Sequence, residues 1–236
     1  MIVTLDNTWR SELLLLPARN EQSLLQGVEV IVNFSGDDNS VRTPTELMLP
    51  RLTDSDTLTL FTEQLALIDA CKLFFIQHQL CAWININPVI VDALLTNPEL
   101  AACVERFPFL EFTINENYPD LNKGKENIQL AQLAQRYCLV LANFGAGEVS
   151  SRAVFDGLFH RIAIDKHFLH HQLSSLAFDP FMRAIVSQVS PHCRSLMISG
   201  VDSEQILQRL LPFQFSAMQG SLWPPVTPAA ITTLVQ

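Results

Sequence analysis

The sequence predicts an α/β fold, and within that class a (β/α)8 barrel that forms one domain over residues 1–236 with its first strand antiparallel. Eight short apolar runs recur along the chain, and most of them precede a segment with helical spacing of apolar residues. Strand–helix alternation of this kind produces a mainly parallel sheet, and eight such units close a barrel. A chain of 236 residues that is 48% hydrophobic also supplies enough apolar side chains for one large core.

The strand predictions rest on apolar runs that are bounded by polar or turn-forming positions. They cover residues 13–18, 27–34, 80–87, 109–115, 137–143, 160–165, 194–199 and 213–219. Residues 19–26 alone separate the first two runs, and a parallel pair needs a crossover of roughly a dozen residues or more. We therefore expect the first two strands to pair antiparallel.

Helices are predicted where apolar residues recur every three or four positions. The longest covers residues 57–77, and Thr57 or Ser55 would cap it, since short polar side chains accept hydrogen bonds from free first-turn N–H groups. Shorter helices are expected over 87–97 and 126–135. Pro88 stands just inside the first of these, where its missing N–H costs nothing.

The charge and the cysteine content restrict the class of protein. A formal net charge of -9 argues against nonspecific binding to nucleic acid or to anionic membranes. The five cysteines form no CxxC pair, so reduced thiols are expected rather than a zinc site. No apolar run reaches the roughly 20 residues of a membrane span, and the N-terminus has no signal-peptide pattern. We expect a cytoplasmic protein that has no cofactor and contacts neither nucleic acid nor membrane directly.

In a barrel of this type, function gathers at the carboxyl ends of the strands, which together form the barrel mouth. Read in chain order, these ends carry mostly small and polar residues. They are Glu29, Asn85, Thr113, Ala142 with Asn143, Ala163 with Asp165, Ser199 and Gln219. Two acids are few for a site that would bind metal ions.

The segments around these positions carry a family resemblance. "GVEVIVNF" is similar to a G-x-E-A-L-L-R-W motif, "WININP" to V-N-L-S, and "LEFTINE" to L-E-L-E-I-T-E. "LANFGAG" is similar to A-L-D-D-F-G-T-G, "IAID" to L-K-I-D, "ISGVD" to A-E-G-V-E, and "AMQGSLW" keeps a Q-G step. These motifs occur in the same order in the EAL family of cyclic di-GMP phosphodiesterases, and the chain resembles that family over nearly its whole length. The resemblance implies an EAL-type, TIM-like barrel.

The resemblance also assigns a role to several positions of this chain. Some of them keep the residue that the family has there, and others have lost it. Vestigial metal positions would be Glu29, Asn85 and Asp165, and vestigial ligand-binding positions would be Gln219, Gly145 and Gly147. Lost positions would be Thr113, Ala142, Asn143, Ala163 and Ser199, with Ala163 in place of a catalytic Lys. A register shifted by two would put Glu111 rather than Thr113 at the ligand position. Asn33 and Leu16 stand where an Arg and a Gln would contact the substrate.

The lost acids argue against hydrolysis on electrostatic grounds. Family members hold two divalent cations, and two dications about 4 Å apart repel by roughly 15 kcal/mol at an effective dielectric near 20. Hard cations of this kind need several oxygen anions around them. Glu29 and Asp165 supply two negative charges against four positive ones. We therefore expect no catalytic residue and no bound metal.

Within the family, the chain resembles degenerate members from enteric bacteria. That resemblance implies a non-catalytic regulator that binds the FlhD subunit of the flagellar master activator, prevents its DNA binding and represses motility genes. The alternative is a degenerate receptor that binds cyclic di-GMP without hydrolysis, although the changes at Asn33 and Leu16 predict weak or absent binding. A weak single-metal phosphodiesterase is the third hypothesis. The sequence does not locate the partner-binding surface.

Several residues at the mouth have two interpretations from sequence. Glu29 and Asp165 either form hydrogen bonds there or bind one Mg²⁺ or Ca²⁺ weakly. The "NFGAG" loop is either a structural turn or a phosphate cradle. His167, His170 and His171 have helical spacing and are expected on a helix surface, the alternative being a histidine metal site.

Overall fold

A computed structural model describes residues 1–4, 8–36, 42–43, 45–146 and 151–235 of the chain. The strands in these residues are β1 (Ile2–Thr4), β2 (Thr8–Arg19), β3 (Leu25–Gly36), β4 (Arg42–Thr43), β5 (Cys81–Asn85), β6 (Leu110–Asn115), β7 (Leu139–Phe144), β8 (Arg161–Ile164), β9 (Ser195–Ser199) and β10 (Ala217–Gln219). The α-helices are α1 (Thr45–Met48), α2 (Asp54–Ala70), α3 (Lys72–His78), α4 (Pro88–Thr96), α5 (Pro98–Glu105), α6 (Ile128–Arg136), α7 (Ser151–Phe155), α8 (Lys166–Leu173), α9 (Phe178–Val189) and α10 (Glu204–Leu210). Short 3-10 helices occupy Leu49–Arg51, Leu121–Glu126, Ser190–His192, Leu211–Phe213 and Pro228–Val235.

Eight of the strands close into a barrel. β3, β5, β6, β7, β8, β9 and β10 pair with their neighbours in that order, and β2 joins β10 to β3. β2 is antiparallel to both of these neighbours, while the other barrel pairings are parallel. The predicted barrel with an antiparallel first strand is therefore confirmed. β1 and β4 are short additions that pair with β2 and β3, and the sequence did not predict them.

The longest predicted helix is divided in two. α2 ends at Ala70 and α3 begins at Lys72, with Cys71 between them at φ −97° and ψ 4°. Its cap also differs from the prediction, because Thr53 rather than Ser55 or Thr57 accepts from the Asp56 N–H. The Asp56 carboxylate accepts from the Thr53 N–H in return, so the two residues form a capping box that satisfies two free donors. The predicted helix after Pro88 is confirmed as α4, with Asn87 as its cap.

Among the described residues, two of the three clusters of buried apolar side chains form the wall and the interior of the barrel. The larger lies between the strands and the surrounding helices, and it includes fully buried residues such as Leu15, Phe61 and Phe112. The smaller fills the barrel interior and consists of Ala18, Trp83, Val140, Ala163, Met197 and Ala217. Trp83 is the largest of these side chains and is 2% exposed, and a Cβ on Gly27 would lie 2.2 Å from its ring. The interior is therefore a packed core, and open space begins only above Trp83 at the mouth.

The helices are of ordinary length for a barrel of this size. Among the described residues, none is both long enough and apolar enough to cross a membrane.

Candidate functional site: the barrel mouth

The carboxyl ends of the strands enclose a cavity of about 90 Å³. Its lining is Glu29, Trp83, Asn85, Thr113, Val140, Ala142, Asn143, Ala163, Met197, Ser199 and Gln219. A site of this volume holds a few water molecules and is well below the roughly 300–1,000 Å³ of small-molecule pockets. The structure thus brings most of the predicted mouth residues into one small, enclosed site.

Strand register explains why these side chains meet. Asn85 pairs with Thr113 between β5 and β6, and Ser199 pairs with Gln219 between β9 and β10. Residues paired in this way point to the same side of the sheet at the same height. The register also resolves the open alternative at β6. Thr113 lies at the mouth, while Glu111 pairs with Trp83 one layer lower.

Glu29 is the acid among the residues that line this cavity. It is half-buried, and its Oε2 accepts a hydrogen bond of 3.1 Å from Nε2 of Gln219. Burial raises the pKa of the Glu29 carboxyl above its ordinary value, and the Gln219 hydrogen bond offsets this effect only in part. Within the described residues, Glu29 forms no ion pair with a cationic side chain. Gln219 is therefore its side-chain hydrogen-bond partner, and no cationic side chain of the described residues balances its charge.

Thr113 contributes a buried hydroxyl to the same cavity. Its side chain is 5% exposed, and Oγ1 has no hydrogen-bond partner among the described residues. A buried hydroxyl without a partner costs about 1–3 kcal/mol. The mouth therefore combines a carboxylate that has no cationic partner with a hydroxyl that has no hydrogen-bond partner, both within the described residues.

Asp165 does not line the cavity, although it follows the end of β8. It is 3% exposed, and its Oδ1 accepts a hydrogen bond of 2.9 Å from the Phe168 N–H. Asp165 thus caps α8, and one of its carboxylate oxygens is engaged in that role. Of the three vestigial metal positions, only Glu29 and Asn85 face a common space.

The loop after β7 has a backbone that demands its particular residues. Asn143 and Gly145 have φ values of 58° and 98°. The Gly145 N–H donates to Oε2 of Glu116 at 3.2 Å, and a Cβ on Gly145 would lie 3.0 Å from the Phe168 ring. Gly145 therefore has a structural reason to be glycine that requires no phosphate. Gly147, the other predicted ligand position here, lies outside the described residues.

The three histidines on α8 do not converge on one point. Nε2 of His170 lies 2.9 Å from the Gly200 carbonyl oxygen and 3.2 Å from Oδ2 of Asp202. His167 and His171 are exposed on the helix surface, as the sequence predicted. Throughout the described ranges, no group of three His, Cys, Asp or Glu side chains could hold a metal ion.

The floor of the cavity was not predicted from the sequence. Trp83, Val140 and Met197 form it, and each stands two positions before a predicted mouth residue on its strand. Because side chains on a strand alternate between two faces, these residues point into the barrel below Asn85, Ala142 and Ser199. Extending the alternation down each strand would have identified them.

Comparison with known proteins identifies the family. The EAL domain model matches residues 17–225, which is most of the chain. The chain belongs to the EAL domain family. The TIM-like barrel and the mouth described above are thus those of an EAL-domain protein.

Curated relatives of this EAL-domain protein match it from end to end. The anti-FlhC(2)FlhD(4) factor YdiV of Salmonella typhimurium is 51% identical over 236 residues, which is 100% of both chains. The putative anti-FlhC(2)FlhD(4) factor YdiV of Escherichia coli is 46% identical, again over 100% of both chains. Neither alignment leaves an extra domain unmatched in the relative.

Solved structures agree with the fold of this EAL-domain protein. The EAL-like domain protein YdiV matches with a TM-score of 0.89 and 46% identity, covering 99% of this chain and 100% of that one. The EAL domain of Mycobacterium smegmatis DcpA matches with a TM-score of 0.75 over 96% and 97% of the two chains. At 17% identity, the second comparison supports the fold alone.

Proposed function

We propose that this EAL-domain protein is a non-catalytic regulator that binds the FlhD subunit of the flagellar master activator, prevents its DNA binding and represses motility genes. The observation that carries the proposal is the similarity to the anti-FlhC(2)FlhD(4) factor over all 236 residues at 51% identity. A regulator of this activator works where transcription takes place, so the proposed location is the cytoplasm.

The chemistry of the mouth supports the non-catalytic part of the proposal. Two-metal hydrolysis of a phosphodiester needs carboxylates that hold both metal ions, and the metal ions in turn activate a water molecule. The cavity presents one carboxylate, Glu29, and Asp165 is engaged as a helix cap. Ala163 provides no amine where the family resemblance implies a catalytic Lys. Each missing transition-state stabiliser typically costs about 10²–10³ in rate, so their combined loss predicts an inactive site.

The proposed function also includes weak or absent binding of cyclic di-GMP to this protein. Phosphate groups are held most strongly by charged, bidentate donors such as Arg. Asn33 replaces the expected Arg, and Leu16, which pairs with Glu29 across the β2–β3 hairpin, replaces the expected Gln. The negative Glu29 carboxylate adds repulsion of the phosphates. We therefore propose weak or absent binding and favour the regulator over the cyclic di-GMP receptor.

The test of the proposed function measures whether FlhD binding depends on the acidic residues at and beside the barrel mouth. We expect the double variant Glu29→Gln with Asp165→Asn to bind FlhD with less than a tenfold change in Kd, or about 1.4 kcal/mol. The amide at position 165 keeps an oxygen that can cap α8, so the variant should fold. Calorimetric titration with FlhD measures the affinity, circular dichroism verifies the fold, and a motility assay measures repression.

A charge-matched control is Asp92→Asn with Glu99→Gln, which removes the same charge from exposed positions of α4 and α5. If the folded mouth variant loses FlhD binding while this control retains it, the partner surface includes the barrel mouth. The expectation that FlhD binding does not depend on Glu29 and Asp165 is then wrong. If the unmodified protein does not bind FlhD, the proposed partner is wrong.

A further inference from the structure

Three apolar side chains form an exposed ridge where α8 meets α9, beside the barrel mouth. Phe168 of α8 is half-buried, and its ring borders the place where a Cβ on Gly145 would be, at the rim of the mouth. The Phe181 ring of α9 is 38% exposed, and its centroid lies 5.8 Å from that of the Phe168 ring. Leu176, just before α9, is fully exposed. We call Phe168, Phe181 and Leu176 the α8–α9 ridge.

The start of α9 lacks the local contacts that usually stabilise a helix terminus. Its N-cap is Ala177, which makes no side-chain hydrogen bond, whereas α2, α4, α5, α6, α8 and α10 each have a polar N-cap that does. Leu176 and Phe181 stand at the N′ and N4 positions, where apolar side chains commonly pack together as a hydrophobic staple. Because Leu176 is fully exposed, this staple is not made. An apolar surface brought by a partner would cover both side chains.

The composition of the ridge fits the centre of a protein interface. Aromatic side chains are enriched there, and a polar rim surrounds them. Phe181 supplies such a ring, and Phe168 supports it from α8. Since Leu176 is fully exposed in this chain alone, all the apolar area that a partner covers on it is gained on binding. The exposed pair Leu73 and Ile76 on α3 is aliphatic, so it offers a matched surface without an aromatic centre.

The charges around the ridge indicate the chemistry of a partner. The chain as a whole has a formal net charge of -9. Around the ridge, the described residues instead carry more cations than acids. The cations are Lys166, Arg183 and Arg209, and the acids are Asp179 and Asp202. The uncapped amino end of α9 adds the positive end of the helix dipole. An acidic segment is therefore attracted to this surface, whereas a basic segment is attracted to the acidic remainder of the chain.

We propose that the α8–α9 ridge is the surface that binds FlhD, through a segment of that subunit with an apolar face and acidic flanks. The inference rests on the proposed function and adds the location and the chemistry of the contact. Leu176 and Phe181 are the apolar anchors, and Lys166 and Arg183 attract the acidic flanks. This surface lies beside the barrel mouth and does not include Glu29, so it is compatible with FlhD binding that does not depend on the mouth.

Two substitutions at one exposed position test the surface and the charge together. Leu176→Asp and Leu176→Lys both remove the apolar anchor, and neither disturbs the core, because Leu176 is fully exposed. Calorimetric titration of each full-length variant with purified FlhD measures Kd, and circular dichroism verifies the fold. We expect both variants to raise Kd at least about tenfold, as loss of an interface anchor does. Leu176→Asp should raise it more than Leu176→Lys, since aspartate repels the acidic flanks.

The matched control uses another exposed leucine. Leu73→Asp and Leu73→Lys introduce the same charges on α3, where Leu73 is 71% exposed. Both control variants should leave Kd within about twofold of the unmodified protein. The attraction between the ridge and an acidic segment also predicts that Kd rises when sodium chloride is increased from about 50 to about 300 mM, because salt screens opposite charges at a surface.

Four results would overturn the inference. If the unmodified protein binds FlhD and both Leu176 variants bind it equally well, the surface is wrong while the proposed function stands. Loss of binding in the Leu73 variants alone would place the surface on α3. Tighter binding by Leu176→Asp than by Leu176→Lys would mean that the partner segment is basic. If the unmodified protein does not bind FlhD, the proposed function is wrong and the inference falls with it.

Discussion

Glu111 and Arg161 form an ion pair inside the barrel, with Oε2 of Glu111 2.7 Å from Nε of Arg161. Their side chains are 8% and 20% exposed. The same carboxylate oxygen accepts a hydrogen bond of 2.8 Å from the Trp83 indole N–H, while Arg161 also donates to Oγ of Ser195. This network lies directly below the apolar layer that forms the floor of the mouth cavity, and it fixes the orientation of Trp83.

The first prediction concerns the stability supplied by this pair. Glu111→Ala should lower the free energy of unfolding by about 3–5 kcal/mol, because it leaves the largely buried Arg161 guanidinium without its carboxylate partner and the buried Trp83 indole N–H without its acceptor. Urea unfolding followed by tryptophan fluorescence measures the change. The matched control is Asp69→Ala, which breaks the exposed ion pair between Asp69 and Arg106. That variant should cost less than about 1 kcal/mol, and equal losses from the two variants would contradict the prediction.

The second prediction concerns cyclic di-GMP. In Mg²⁺ or Mn²⁺ the protein should leave this nucleotide uncut, and turnover above about 0.1 per second, against an enzyme median near 10 per second, would contradict it. Calorimetric titration should give a Kd no tighter than about 100 μM, or roughly 5.5 kcal/mol, because the ionic phosphate contacts are missing. A hydrolytic signal that persists in Glu29→Ala would be traced to a contaminating enzyme. Low-micromolar binding would support the receptor hypothesis.

The third prediction distinguishes two glycines with positive φ. Gly145 has φ 98° and lies against the Phe168 ring, whereas Gly157 has φ 68° and nothing lies within 4 Å of the place where its Cβ would be. Gly157→Ala should cost about 1–2 kcal/mol from backbone strain alone. Gly145→Ala should cost more, because it adds a steric contact with Phe168. Chemical denaturation of both variants measures the difference, and a smaller loss at Gly145 would contradict this account.

The fourth prediction is a pH dependence at Asp202. The backbone N–H and the hydroxyl of Ser221 donate hydrogen bonds of 2.8 and 2.9 Å to its Oδ1. The Ser221 N–H is the main cause of a lowered Asp202 pKa, and the hydroxyl, His170 and Lys166 reinforce it. A lowered folded-state pKa contributes stability above the unfolded value of about 3.9, and that stability is lost as the pH falls through the folded-state pKa.

Asp202→Ala should therefore lower Tm most at neutral pH, and its difference from the unmodified protein should shrink in acid as Asp202 becomes protonated. Calorimetry across a pH series measures this difference. His170→Ala tests the smaller contribution of the histidine, whose Nε2 lies 3.2 Å from Oδ2 of Asp202. A difference for Asp202→Ala that is constant across the series would contradict the linkage.

The fifth prediction orders the cysteines by reactivity. Cys138 is exposed, whereas Cys81 is half-buried beside Glu111 and Arg161. Burial and the neighbouring Glu111 raise the pKa of Cys81 to about 11, so almost none of it is thiolate at neutral pH. Alkylation of the folded protein, followed by peptide mass spectrometry, should label Cys138 before Cys81. Cys81 should react readily only in denaturant, and early labelling of Cys81 would contradict the burial described here.

The sequence by itself determined the barrel, because short apolar runs and helical spacing of apolar residues are local patterns that directly reflect which residues are buried. The short connection over residues 19–26 likewise determined that β2 and β3 are antiparallel. The retained order of motifs identified which residues stand at the strand ends, and the structure places Glu29, Asn85 and Thr113 around one cavity. These features depend on neighbouring residues or on a fixed strand geometry.

The tertiary structure decided what the sequence left open, because side-chain partners far apart in the chain are set by register and packing. Register placed Thr113 at the mouth and Glu111 lower in the barrel. There Glu111 accepts a hydrogen bond from Arg161, which is 50 residues away in sequence. The position of α8 made Asp165 a helix cap, because it brings the Phe168 N–H within hydrogen-bonding distance of Oδ1. Thr53 became the cap of α2, because the capping box with Asp56 forms one turn before Thr57, which is itself buried. Local propensity can suggest several partners for a polar side chain, but only the folded arrangement brings one of them within hydrogen-bonding distance.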